Sequence, residues 1–181
     1  MGRRDEENPW EAAAPRGTFH RDERPAPEPL DGLTRTLMVV AVLLQVGVLL
    51  FVALSYPSLP ESVPAHFDGS GEVDRWGSRG NVWVGPGVLA LVTALLLLMV
   101  RAVRAVNVPV SPVTDAGWQR LYLLSRRMMG WMAAILSLLG WEAALAVIRP
   151  GLLPGISFWP PLVLLFAVMG WYVVRMFVPR G

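Results

Sequence analysis

Of 181 residues, 54% are hydrophobic and 17% are charged, against roughly a quarter charged in an ordinary soluble domain, which argues against a free-standing soluble enzyme. The 16 basic residues, all arginine, and the 14 acids leave a net charge of +2. Five of those arginines lie among acids in the first 32 residues, so no basic surface for nucleic acid follows, and the absence of cysteine excludes disulfides, iron–sulfur clusters and cysteine-ligated zinc.

Residues 1–32 hold five prolines, thirteen charges of mixed sign and few large apolar side chains. Such a segment does not bury enough surface to offset chain entropy, and it is predicted to be a disordered cytoplasmic tail. Charge-poor stretches follow at Thr36–Ser55, Val82–Val100, Met128–Ile148 and Pro160–Val178, each close to the ~20 residues that cross a bilayer core. Pro86 and the pair Pro160 and Pro161 fall in first turns, where a missing N–H costs least. Leu89–Val100 has no charged face to turn to water, as a surface helix of a soluble bundle needs. The expectation is an all-α integral membrane protein with four transmembrane helices and a small extracytoplasmic β-hairpin loop.

Orientation is read from arginine. Arg3, Arg4, Arg16, Arg21, Arg24, Arg35, Arg101, Arg104, Arg120, Arg126, Arg127, Arg175 and Arg180 fall on one side, and Arg75, Arg79 and Arg149 on the other. The positive-inside rule then places both termini in the cytoplasm, N-in/C-in. Ala53-Leu54-Ser55 imitates a signal-peptidase site, but its apolar run is too long and its leader too acidic for an ordinary signal peptide. The organisation expected is a tail at 1–32, a membrane domain at 33–105 with an outer loop at 56–82, a cytoplasmic loop at 106–127, and a second transmembrane hairpin at 128–181. Within the cytoplasmic loop, Asp115 is expected to cap a helix carrying Trp118, Leu121, Tyr122 and Leu124 that lies along the membrane and runs into the third span. Trp131, Trp141, Trp159 and Trp171 are expected to anchor span ends or lipid-facing turns.

The outer loop is the most informative stretch. Its prolines keep the first part extended, and Val63 to Phe67, Asp68-Gly69-Ser70-Gly71 and Val73 to Trp76 predict a short hairpin with a glycine turn. Alternation sends His66 and Asp68 to one face and Ala65 and Phe67 to the other, and an isolated hairpin is marginal in water, so Trp76 is expected to rest on the helix ends.

The run Leu59-Pro60, Val63-Pro64, His66-Phe67, Gly71, Asp74-Arg75-Trp76-Gly77 closely resembles the signature of a bacterial membrane domain of unknown function. That domain is found at the N-terminus of SdpI-type immunity and signalling proteins. The resemblance covers about residues 36–105, and Asp68 stands where members often have asparagine. It implies placement in the bacterial inner membrane and binding or sensing of an extracytoplasmic peptide or of another membrane protein, with His66, Asp68, Gly71, Asp74, Arg75 and Trp76 as candidate contact residues.

His66, Asp68, Glu72 and Asp74 gather a histidine and three carboxylates, a weak metal pattern. One histidine is thin for zinc, and Arg79 occupies the place of the later bidentate glutamate of a calcium loop. The bland alternative has His66 and Asp74 bonded to the loop backbone. No nucleophile motif is present, no cofactor is implied, and an enzyme is not expected. Glu142 is the singular intramembrane residue, expected either to be protonated and hydrogen-bonded or to pair with Arg149, His66 or Gln45. A passive subunit of a membrane complex and a small transporter are the rival roles.

Overall fold

A computed structural model describes residues 24–106, 112, 114–152 and 157–178. The arginines at 3, 4, 16, 21 and 180, and most of the expected tail, lie outside the described residues. The elements run α1 (Gly32–Ser55), β1 (Ser62–Phe67), β2 (Val73–Ser78), α2 (Val84–Arg101), α3 (Asp115–Ile148) and α4 (Trp159–Phe177). All four helices are long and apolar enough to cross a membrane, and the chain is a multi-pass helical membrane protein.

α3 is the hub, packing against α1, α2 and α4. On α1 the buried residues Thr34, Leu37, Ala41, Gln45, Val48 and Val52 recur every three or four positions and form one stripe. α3 answers with Gly130, Ala133, Ser137, Gly140 and Ala144, small side chains at the same spacing that let two backbones come close. The Ser137 hydroxyl donates to the Ala41 carbonyl at 3.1 Å, and the Trp141 indole N–H donates to the Leu44 carbonyl at 3.0 Å. Trp141 also stacks on Phe51, ring centroids 5.4 Å apart. The expected interface anchor is therefore a packing residue inside the α1–α3 contact. Trp171 is exposed, with the Arg175 guanidinium 5.2 Å from its ring.

The helix that carries Trp118 runs into the third span, as expected, and the expected cap is corrected. α3 is one continuous helix of 34 residues, about 51 Å at the α-helical rise, which outruns a bilayer core of roughly 30 Å. Its cap is Thr114, whose side chain accepts from Gly117 N–H, and Asp115 is the first helical residue. Trp118, Leu121, Tyr122 and Leu124 are buried with Val100, Val103, Met129 and Met176. Aromatic and aliphatic side chains that look suited to lipid headgroups are consumed by packing between helix ends.

The tail expectation is corrected for its last part. Residues 25–31 have no regular secondary structure, but hydrogen bonds fasten this segment to α3. Gln119 accepts from Glu28 N–H and donates to the Ala26 carbonyl; Tyr122 donates to the Pro25 carbonyl. The buried Arg126 spans the Val100 and Glu28 carbonyls at 3.3 and 2.7 Å. Asp31 then caps α1 through Thr34 N–H and pairs with Arg127, N to O 3.2 Å. A proline-rich strap needs little apolar burial when side chains of a neighbouring helix satisfy its backbone.

Candidate functional site: a cavity beneath the hairpin

β1 and β2 pair antiparallel as a two-stranded sheet. Ser62 faces Ser78, Val63 faces Gly77 and Pro64 faces Trp76, after which the pairing slips so that His66 faces Arg75 and Phe67 faces Val73. The loop is built by Asp68. Its carboxylate accepts from Ser70 N–H, the Ser70 hydroxyl and Glu72 N–H at 2.6–3.0 Å. Gly71 N–H returns to the Asp68 carbonyl, and Gly71 takes φ +86°, the left-handed position that closes a three-residue hairpin loop. The Ser70 hydroxyl and then the Glu72 amide hold the Asp68 carboxyl below the usual carboxylate range. At the base, Arg79 N–H donates to the Glu61 carbonyl. A Cβ on Gly77 would lie 2.3 Å from the Asn81 amide nitrogen and 3.0 Å from the Ala65 Cβ, so a side chain there displaces the Asn81 amide and crowds Ala65.

The register slips follow Pro64, and burial alternates beyond it as expected, with Ala65 and Phe67 half-buried and His66 and Asp68 exposed. Val63 and Pro64 are consecutive and both buried, and Ala65, His66, Phe67 and Asp68 all border one cavity. That cavity, of about 600 Å³, lies between the hairpin, the start of α2 and the last turns of α3, with Phe158 before α4 on its wall. α3 contributes Leu139, Glu142, Ala143 and Ala146, the i, i+3, i+4, i+7 face of the helix. Its other face, with Gly140 and Ala144, serves the α1 contact.

Glu142 thus stands in the wall of a cavity. It makes no hydrogen bond or ion pair among the described residues, and its Oε2 is shut off from solvent without a donor. None of its expected partners reaches it. Arg149 is exposed at the helix end; His66 Nδ1 is taken by Asp74 Oδ1 at 2.6 Å; Gln45 Nε2 turns to the Pro86 carbonyl at 3.4 Å. The expected bonds from His66 and Asp74 to loop backbone are likewise replaced by this side-chain pair. Trp76 is 60% exposed and does not rest on the helix ends; the hairpin is held down by Val63 and Pro64, and the Trp159 indole N–H donates to the Gly69 carbonyl.

The candidate residues therefore divide. His66, Asp68, Gly71 and Glu142 border the cavity, whereas Asp74, Arg75, Trp76, Glu72 and Gln45 do not. Among the described residues no three His, Asp or Glu side chains converge as a metal site needs, because Asp68 is spent on its own loop. Sequence reasoning missed the apolar wall of Pro64, Phe67, Leu139 and Phe158; the helical spacing of Leu139, Glu142, Ala143 and Ala146 was the available signal.

Fold and site together define a multi-pass helical membrane protein in which a small hairpin covers a cavity at one end of the spans. Within that class, residues 43–90, from the second half of α1 through the hairpin into α2, match the family model "Domain of unknown function (DUF1648)". An uncharacterised protein of Archaeoglobus fulgidus is 33% identical over 76 residues, 42% of each chain, so this chain spans less than half of that relative. No solved structure matches.

Proposed function

We propose that this chain is an SdpI-like binding or sensing protein of a bacterial inner membrane, N-in/C-in, and that its hairpin and cavity recognise an extracytoplasmic peptide or partner in toxin immunity or envelope signalling. The observation that carries this reading is the cavity of about 600 Å³, a size in the range of ligand sites. The hairpin forms one of its walls, and the hairpin lies within the match at residues 43–90. The orientation draws support from charge. Among the described residues, Arg24, Arg35, Arg101, Arg104, Arg120, Arg126, Arg127 and Arg175 fall toward the end opposite the hairpin, and Arg75, Arg79 and Arg149 toward the hairpin end.

A photo-crosslinking residue at Ser70 in native membranes tests this role. A species captured there, and lost when Leu139→Trp fills the cavity, is the expected result. Capture of the same species from Trp171 on the exposed face of α4 defeats it. A transporter is the second reading, favoured by Gln45 Oε1 and Thr93 Oγ1, both buried in spans without a hydrogen-bond partner among the described residues.

A further inference from the structure

We propose that the cavity beneath the hairpin binds an alkylammonium group carried on an apolar body, with Glu142 as the counter-charge. This assignment rests on the reading of the cavity as a recognition site and names the chemistry it selects. Three observations converge. The wall is mostly apolar, with Pro64, Leu89 and Leu139 among its members, and an apolar body gains free energy by leaving water for it. Among the described residues its ionisable members are Glu142, Asp68 and His66, with no arginine among them, although arginine is the only other basic residue of this chain. Glu142 has no donor or cation of its own among the described residues.

These features discriminate between ligands. An anion meets the unpartnered Glu142 carboxyl and, among the described residues, no arginine. A neutral apolar ligand fills the space but leaves the carboxyl unpaired, and a buried polar group without a partner is costly. A metal ion finds one carboxylate where it needs several ligands, since Asp68 is bonded into its own loop. An ammonium supplies charge and several N–H donors at once, forming the stronger, charge-assisted kind of hydrogen bond. Phe67 and Phe158 are also part of the wall, and aromatic faces attract cations.

The test uses the full chain in zwitterionic nanodiscs, with empty nanodiscs subtracted, and the isosteric probes n-hexylammonium, 1-hexanol and hexanoate followed by titration calorimetry. Saturable hexylammonium binding, tighter than hexanol by about tenfold or more, with hexanoate weakest, is the expected result. Glu142→Gln should bring hexylammonium down to the level of hexanol, and Leu139→Trp, which keeps the acid and fills the space, should abolish binding of all three. Equal affinities for hexylammonium and hexanol in the unaltered protein overturn the cation assignment while leaving the cavity a ligand site. Failure of every probe to bind overturns both. The selectivity of the unaltered protein decides the matter even if Glu142→Gln does not fold, and undiminished hexylammonium binding by a folded Glu142→Gln removes Glu142 from the site.

Discussion

Gly47 of α1 lies under the indole of Trp141 of α3 so closely that a Cβ on the glycine would stand 3.1 Å from Trp141 Cζ2. The ring is pinned on both sides, by its N–H bond to the Leu44 carbonyl and by Phe51. A small addition at Gly47 is absorbed by a slight tilt of the indole, whereas a large one separates the helices. Gly47→Leu is expected to destabilise the fold by about 1–3 kcal/mol, as overpacking does, with Gly47→Ala much milder. Titration with a denaturing detergent, followed by tryptophan fluorescence, measures both; equal stability of the leucine variant and the parent refutes the close contact.

The hairpin loop depends on Gly71 and Asp68. Gly71→Ala places a Cβ in the left-handed region and should cost about 1–2 kcal/mol locally. Because hydrogen bonds depress the Asp68 carboxyl in the folded loop, its contribution is full above the unfolded carboxyl value of about 3.9 and is lost as pH falls through the lower folded value. Amide exchange at Gly71 and Glu72 should be insensitive to this group from pH 7 to about 5 and lose protection below about 4; Asp68→Ala should remove that acid transition. His66→Ala breaks an exposed pair and should cost less than about 1 kcal/mol.

Asp31 joins three parts of the molecule, as cap of α1, end of the strap and partner of Arg127. Burial pushes its carboxyl up, but hydrogen bonds from Thr34 and Arg127 together outweigh that and hold it below its ordinary value. The stabilisation is therefore complete above the unfolded carboxyl value and disappears as pH drops through the folded one. Asp31→Ala should cost about 1–2 kcal/mol and Asp31→Asn much less, because asparagine still caps. Thermal unfolding by circular dichroism at pH 7 distinguishes them, and indistinguishable losses would mean that the charge pair, not the cap, dominates.

Arg126 holds the strap by reaching two carbonyls from one guanidinium. Arg126→Ala leaves both without that donor and should speed amide exchange across residues 24–31. Arg126→Lys should restore only part of the protection, since an ammonium lacks the planar fork. Full restoration by lysine would show that charge alone suffices.

The N-in/C-in topology predicts opposite accessibility for the two ends of the spans. In this cysteine-free chain, an impermeant maleimide should label Ser70→Cys in intact spheroplasts and spare Ala102→Cys until the membrane is opened. Ala102 is exposed just past α2. The reverse labelling pattern inverts the topology.

What the sequence determined by itself was what composition and short-range pattern control. Four spans follow from charge-poor length, because desolvating a charge in hydrocarbon is costly; the hairpin turn follows from Asp68 and Gly71, whose requirements are met within five residues. Partnership was decided only in the tertiary structure. Trp141, Trp118 and Tyr122 carry the same amphipathic chemistry as a headgroup anchor, and nothing local says that α1, or the ends of α2 and α4, will cover them. The strap was hidden for the same reason, since its backbone is satisfied by Gln119, Tyr122 and Arg126, some ninety or more residues away. Glu142 was legible as a singular residue, but its meaning was not. Expected neighbours turned to closer partners, His66 to Asp74 and Gln45 to Pro86, because a register slip in β1 and the direct packing of α1 on α3 set where those side chains point. The cavity that results is a property of how hairpin and helices meet, which no window of sequence contains.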